Sequence, residues 1–376
     1  GARKIKQIEK YCLRDIAIVS QGFTFSRSYQ GKKNLKWNYF KVADIGINPN
    51  SKYLTNAINT ISDITMEEIG VLPFPKGSIV FPRVGAALFN NNKKILAQDG
   101  VVDDNVLVLT VTDTSKCWYE FLYYYLQGIP LAKWCNSGLV PVINTKTVLS
   151  QMVFLPPLPE QQKIATILST QDKVIELKEK LLAQKQQQKK YLMQQLLTGK
   201  KRLPGFNEKW RFAKLENVSK YSASAASFKT YESHLGCGPY PVYDASGCFG
   251  NIDFYENEQP YISIVKDGAG AGRVALCKEK SSTIGTLGCI FANDIDLLYL
   301  FYCMSAVDFQ IYSNGSTIPH VYYKDYKNMV LYLPCELEQK AIVEILSAAD
   351  HEIDLLQKSI EAEKQKKKAL MQLLLT

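Results

Sequence analysis

Residues Leu155–Thr198 read LPPLPEQQKIATILSTQDKVIELKEKLLAQKQQQKKYLMQQLLT, and residues Leu333–Thr376 read LPCELEQKAIVEILSAADHEIDLLQKSIEAEKQKKKALMQLLLT. The two stretches align without a gap at a constant offset of 178 residues, the step from Leu155 to Leu333, and roughly half of their positions are identical. Repetition of this kind identifies the duplicated structural unit, and it is read before any other feature. In the second copy apolar residues step by four and three through Ile342, Leu346, Ala349, Ile353, Leu356 and Ile360, then Leu370 and Leu374. That is a heptad seam and not the alternation of a strand. The first copy places Ile164, Leu168, Gln171, Ile175, Lys178 and Leu182, then Leu192 and Leu196, at the matching positions, so its seam is apolar at both ends and mixed in the middle. Either helix alone would leave an apolar stripe in water, and the simplest partner for each is the other copy. At about 1.5 Å per residue, the stretch from Glu160 to Leu197 makes a rod of roughly 57 Å.

The ends of the rods are marked. Pro156, Pro157 and Pro159 are expected to forbid helix just before the first rod, and Pro334 before the second. Gly199 follows Thr198 where a C-terminal cap belongs, and KKRLPGF, Lys200 to Phe206, then reads as linker. The repeat also continues upstream. At the same offset Leu122-Tyr123-Tyr124 matches Leu300-Phe301-Tyr302, and Asn136, Pro141 and Lys146 match Asn314, Pro319 and Lys324. Near the start of each half, Leu13, Asp15 and Ile16 resemble Leu215, Asn217 and Val218 at an offset of 202 in place of 178, so the second half lacks 24 residues in its middle. Each half is therefore a globular domain followed by a rod, with similar ends and a divergent centre.

The expected class is α+β, mixed α/β. Two globular domains, residues 1–154 and 201–332, are separated by two helical spacers, 155–200 and 333–376, that pair antiparallel as a coiled coil in a pseudo-twofold molecule. Strand-like runs at Ser78 to Phe81, Val106 to Val111 and Tyr261 to Val265 alternate with turn chemistry, and short helices are expected at Trp118 to Gln127 and Leu297 to Ala306. Pro82-Arg83-Val84-Gly85-Ala86 and Val265-Lys266-Asp267-Gly268-Ala269 both set a basic side chain two residues before Gly-Ala at the end of such a run. Loops of this type approach phosphate closely, because glycine removes the side-chain barrier.

A chain of 376 residues, 46% hydrophobic and 22% charged, is large enough for two or three domains of ordinary composition. It contains no apolar run of about 18 residues, and Gly1-Ala2-Arg3-Lys4 lacks the apolar stretch of a signal peptide, so no membrane association is expected. A start at Gly1 instead of methionine suggests a processed chain. Nine cysteines sit singly, without C-x-x-C pairs, which argues against a zinc site or disulfide framework and for reduced thiols in the cytoplasm. The formal charge of +9 favours polyanionic partners. Much of the lysine lies in the rods, at Lys185 to Lys190 and Lys364 to Lys368, where a solvated helix face explains it as well as phosphate contact does.

Catalytic chemistry has little to stand on. There is no G-x-x-x-x-G-K-[ST] loop, and the Pro156-Pro157 pair lacks the Asn/Asp-Pro-Pro-aromatic context of an amino-methyltransferase. His234, His320 and His351 are too few and too scattered for a metal or a triad. Gly268-Ala269-Gly270-Ala271-Gly272, followed by Arg273, reads as a turn, since no βαβ unit surrounds it.

This arrangement resembles the specificity subunit of type I DNA restriction-modification systems. The rods carry the resemblance, through the LPPLPEQQKIATIL opening, the KKYLMQQLLTG closing and their second versions. YPVYDASG at Tyr240 to Gly247 and the stretches NSGLVPVI and NGSTIPHV are similar to pieces of that family's target recognition domains. The resemblance implies a DNA-binding subunit with no chemistry of its own. Each recognition domain would read one half of a split, asymmetric sequence in double-stranded DNA. The paired rods would set the spacing and dock two modification subunits, which would bind S-adenosylmethionine and methylate adenine, with restriction subunits joining for cleavage. No cofactor and no metal is expected on this chain.

Base readout requires donors and acceptors at base edges, whereas backbone contact requires cations and amides, so mixed polar loops are the candidates. In the first domain these are Gln21, Arg27, Tyr29, Lys32, Lys33 and Lys36, with Arg83, Lys93 and Lys94. In the second they are Lys220, Tyr221 and Lys229, with Ser246, Lys266, Arg273 and His320. Tyr123, Tyr124 and Tyr125 read as the core of a short helix, and Tyr322 and Tyr323 as a packed strand. The rival reading is a coiled-coil adaptor with two protein-binding domains. Divergent centres on a common frame suit two unlike half-sites better than one repeated protein ligand.

Overall fold

The computed structural model of the chain describes residues 8–47, 51–136, 138, 140–315 and 318–375. Gly1 to Lys4, Ser137 and Leu139 of NSGLVPVI, Ser316 and Thr317 of NGSTIPHV, and Thr376 lie outside the described residues. Two helices dominate, Leu158–Leu196 and Glu336–Leu375, called here the first and second rods. Pro159 falls inside the first rod and not before it. A proline in the first turn loses nothing, because its missing N–H would have had no partner within the helix. The C-terminal signal holds as read. The rod ends at Leu196, and Gly199 takes a φ of 67°, with the Trp210 ring lying where a Cβ would be 3.2 Å from it.

The chain forms two compact units, one ending at Lys180 but including the residues from Lys358 onward, the other running from Leu181 to Gln357. Each unit thus holds one globular domain, the start of the rod that follows it, and the far end of the other rod. In the first unit a sheet is ordered Ala17–Gln21, Val106–Val111, Ile79–Pro82, Lys94–Leu96, Tyr53–Leu54, antiparallel except for the last pair. A second layer pairs Asn59–Ile61, Trp37–Phe40 and Val101–Val102. In the second unit the sheet is Ser219–Ser222, Leu287–Ala292, Tyr261–Val265, Val274–Cys277, all antiparallel. Its companion layer pairs Gly247–Ile252, Tyr240–Asp244 and Ser282–Thr283. The four strands of the second sheet match the first four of the first sheet in order and direction, and the first unit's sheet is longer by one strand, Tyr53–Leu54.

Both units close with the same antiparallel ribbon, Glu9–Cys12 with Met152–Leu155 and Arg211–Lys214 with Val330–Leu333, from which the rods depart. The helices Tyr119–Gln127 and Leu297–Ser305 lie where expected. Tyr123 and Tyr124 are buried in the first core.

The rods pack together, antiparallel, along the expected seam. Ile164, Leu168, Ile175, Leu196, Ile342, Leu346 and Ile360 are buried, and Leu182, Leu192, Ile353, Leu356, Leu370 and Leu374 half-buried. The seam does more than join helices. Ile164 and Leu168 enter the first unit's core, against which Leu370, Met371, Leu374 and Leu375 of the second rod pack. Ile342 and Leu346 enter the second core together with Met193, Leu196 and Leu197 of the first rod. The polar middle is also accounted for: Gln171 Nε2 donates to Glu363 Oε2 at 2.7 Å, and Lys178 Nζ reaches Glu363 Oε1 at 2.8 Å and Ser359 Oγ at 2.7 Å. These bonds hold the Glu363 carboxyl down at about 2, Lys178 contributing most and Gln171 next. Among the described residues no helix is long and apolar enough to cross a membrane.

Candidate nucleic-acid interface

The two Gly-Ala loops occupy equivalent places in their units. Gly85 N–H donates to the Pro141 carbonyl and Gly268 N–H to the Pro319 carbonyl, each at 3.0 Å, and those prolines match at the offset of 178. Ile143 N–H donates to Arg83 O at 2.9 Å, and Val321 N–H to Lys266 O at 2.8 Å. Gly85 and Gly268 have φ values of 81° and 91°, a region that only glycine enters without strain. The loop thus turns sharply and leaves the preceding basic residue, Arg83 or Lys266, half-buried and without a side-chain partner among the described residues. What surrounds the two loops differs.

In the second unit, Asp267 accepts from His320 Nδ1 at 2.7 Å, and the His320 ring lies parallel to Tyr322 at 5.9 Å between centroids. Lys324 Nζ sits 5.4 Å from the same Tyr322 ring. Arg273 donates to the carbonyl of Ala245, which brings it beside Ser246 in the hairpin turn. Ser246 N–H is itself held by Asp244 Oδ1 at 2.6 Å. Tyr221 stacks on Tyr323 at 4.3 Å with the planes 9° apart, and burial raises its hydroxyl pKa. Lys266, Arg273, Ser246 and His320 thus gather around loops that meet at the Gly-Ala turn. Lys220 and Lys229 are exposed on other elements, the strand Ser219–Ser222 and the helix Phe228–Glu232. Tyr322 and Tyr323 do not form a packed strand. Tyr322 precedes the helix Tyr323–Tyr326 and is exposed, because the short strand His320–Val321 ends just before it.

In the first unit the candidates spread further. Gln21 is exposed and donates to the Asp104 carbonyl at 3.0 Å, while Thr24 donates to the Asp104 carboxylate at 2.7 Å. Arg27, Lys32 and Lys33 are exposed, and Lys32 sits 6.0 Å from the Tyr29 ring. Lys36 is tied to Asp63 at 2.8 Å, an anchor shared with the Trp37 indole. Asp104 and Asp63, which the sequence reading passed over, hold Gln21, Thr24 and Lys36 in place, while Asp103 holds Tyr39 and Asn105. Asp104 and Asp63 stand far along the sequence from the side chains they hold, 80 residues from Thr24 and 27 from Lys36, so no local pattern marks them.

Lys93 and Lys94 are inside the protein, 2% and 1% exposed, and so are not placed to meet phosphate. Lys93 Nζ donates to Asn91 Oδ1 at 2.6 Å and to the Ile129 carbonyl at 2.9 Å; Lys94 Nζ donates to the Ser51 carbonyl. Burial pulls the Lys93 amine down to about 7 and the Lys94 amine to about 8. The reason is topological: the strand Lys94–Leu96 is covered on both edges, by Ile79–Pro82 and Tyr53–Leu54. Lys52 is buried beside them, donating to Glu120 at 3.1 Å and Ser169 at 2.9 Å.

Each unit also holds a clamp on the rods. Tyr124 donates to Asp172 at 2.6 Å, and Lys367 of the second rod pairs with the same carboxylate at 2.6 Å. Tyr302 donates to Asp350 at 2.8 Å, and Lys189 of the first rod pairs with it at 2.5 Å. All three members match at the offset of 178. Burial, then the carboxylate partner, pushes both phenols well above their ordinary pKa. No group of three or more metal-binding side chains occurs among the described residues, and all nine thiols are unpaired.

With these sites in place, comparison with known proteins gives a consistent result. The model of the type I restriction modification DNA specificity domain matches residues 5–186 and again residues 207–364. The chain is 25% identical over 399 aligned positions to a putative type I restriction enzyme MjaX specificity subunit of Methanocaldococcus jannaschii, covering 97% of this chain and 92% of that protein. Its fold matches the crystal structure of a type I restriction-modification S subunit from M. genitalium with a TM-score of 0.66, at 15% identity over 100% of this chain and 98% of that one. A chain solved in work on assembly and conformational transition of the type I R-M system matches with a TM-score of 0.58, at 13% identity over 98% and 96%.

Proposed function

Since the chain belongs to the type I restriction modification DNA specificity family, we propose that it reads a bipartite, asymmetric sequence in double-stranded DNA, one half-site per globular domain, without catalysing a reaction itself. One observation carries this reading. The Gly-Ala loops are held by equivalent hydrogen bonds in both units, yet they are ringed by different side chains: Asp267, His320 and Tyr322 in one, Val84 and Val142 at the corresponding bridge in the other. A common frame with unlike loops is what two different half-sites require.

The rods serve as spacer and as docking core for two modification subunits, and through them restriction subunits. S-adenosylmethionine is then bound by the modification subunits. Supporting this is a second apolar stripe that the rod pair does not use. Ile167 and Ile345 are the same residue at equivalent positions and are 45% and 37% exposed; Leu177 and Leu355 are likewise paired and both 52% exposed. Apolar residues kept outward in both copies suit a partner present twice.

Replacing residues 1–154 with another recognition domain and mapping methylated adenines in a strain carrying the modification partner tests the reading. One half of the motif is expected to change and the other to stay; a contiguous motif, or change in both halves, overturns it. Transfer of label from S-adenosylmethionine to DNA by the purified chain alone would refute the non-catalytic assignment.

A further inference from the structure

The ends of the two rods are interchangeable. Leu192, Met193, Leu196 and Leu197 are matched residue for residue by Leu370, Met371, Leu374 and Leu375, and each set completes the core of the unit in which it ends. The clamps are equally alike, Asp172 with Lys367 and Asp350 with Lys189. Among the described residues the core-facing and clamp side chains at the two ends are the same, so they suit a first rod paired with the first rod of a second copy of this chain, or the second with the second. The register is common too, since the numbers of the paired residues sum to 539 at both clamps. The homotypic version of any contact is therefore found by moving one partner through 178 positions.

Between the clamps that substitution fails. Lys178 pairs with Glu363 at 2.8 Å and Lys185 with Glu352 at 2.7 Å. In a first-with-first pair, Glu363 is replaced by its equivalent, Lys185, and Lys178 meets Lys185 twice. In a second-with-second pair, Lys185 is replaced by Glu363, so Glu352 meets Glu363 twice, and Leu356 takes the place of Lys178. We infer that Lys178, Lys185, Glu352 and Glu363 form a pairing code that keeps each rod with the other rod of its own chain and bars exchange with a second copy. Like charges facing across a helix pair penalise the wrong partner, while the matched core-facing ends would accept either. On the functional reading above, exchange would put two identical recognition domains on one rod pair, a symmetric reader in place of an asymmetric one. The pairing itself, and its test, do not depend on that reading.

Charge exchange separates the possibilities. Lys185→Glu combined with Glu352→Lys keeps that ion pair within the chain with its polarity reversed, but makes both homotypic alignments attractive. Lys178→Glu combined with Glu363→Lys does the same through the other pair. Full-length wild type and each double variant, prepared with two different tags, are mixed unfolded and refolded over a range of protein concentrations. Dimer fraction is then read by light scattering after gel filtration, tag mixing by pull-down, and folding by circular dichroism. Wild type is expected to return as monomer, and each folded variant to give a mixed-tag dimer fraction at least about tenfold larger, equivalent to about 1.4 kcal/mol. Folded variants that stay as monomeric as wild type, or wild type that exchanges as freely as they do, overturn the code.

Discussion

Around the first clamp, where Tyr124 and Lys367 meet Asp172, three lysines are buried: Lys52, Lys93 and Lys94. Around the second, where Tyr302 and Lys189 meet Asp350, no buried lysine occurs among the described residues. The clamp is common property, and the lysines lie on or beside two strands of the first unit: Tyr53–Leu54, which the second unit's sheet lacks, and Lys94–Leu96, whose counterpart Val274–Cys277 carries no lysine. A shared frame can therefore be extended on one side without disturbing how it grips the rods. What changes is the electrostatic state of the interior behind it.

The comparison breaks most easily at the rod roots. Leu168→Ala and Leu346→Ala each empty a fully buried, equivalent position and should each cost about 2–5 kcal/mol in denaturant unfolding. Costs that differ by more than about 2 kcal/mol would show that the two roots are not packed alike. The lysines give the next effect. Because the folded state depresses the Lys93 amine to about 7, the unfolded chain binds the extra proton more readily below its ordinary value of 10.5. Stability should thus rise with pH from about 7 toward 10, by on the order of a few kcal/mol. Lys93→Met should flatten that rise in a pH series of unfolding curves; an unchanged slope would mean the amine is charged in the folded protein. Asp172→Asn and Asp350→Asn should each cost about 1–3 kcal/mol, the loss being larger at Asp172, whose side chain is 15% exposed against 40% for Asp350. Equal losses would remove any role for the surroundings. The smallest effect belongs to Glu363. Its carboxyl is held low by Lys178 and Gln171, so the contribution is present above about 4.5 and lost as pH falls toward 2. Glu363→Gln should abolish the part of acid unfolding in that window and leave the melting curve near neutral pH only slightly lower.

The rods, their seam and the tandem organisation were legible because heptad spacing and a gapless repeat are long-range patterns that no single residue can spoil. Strands Val106–Val111 and Tyr261–Val265 read correctly as apolar runs. Pro159 misled by one turn, since a proline's effect depends on whether it falls before or within the first turn. Of the candidate contacts, the matching of the Gly-Ala loops could be seen in sequence, and the hydrogen bonds place both loops alike. Lys93 and Lys94 could not be placed, because a lysine pair reads as surface until the strand order shows that both edges are covered. The exposed stripe through Ile167 and Leu177 was hidden for the opposite reason: apolar residues on an amphipathic helix read as core.

Gln161 and Gln339 show how duplicated genes can drift without losing a joint. Gln161 accepts from Trp118 N–H at 2.8 Å and donates to the Pro156 carbonyl at 2.8 Å; Gln339 accepts from Asp296 N–H at 2.9 Å and donates to the Pro334 carbonyl at 3.0 Å. Trp118 and Asp296 have nothing in common as side chains. The glutamine's hydrogen bonds run to peptide groups, which every substitution at those positions other than proline preserves. A fastener anchored to main chain leaves its neighbours free to mutate, so ancestry stays visible at the joint after it has faded around it.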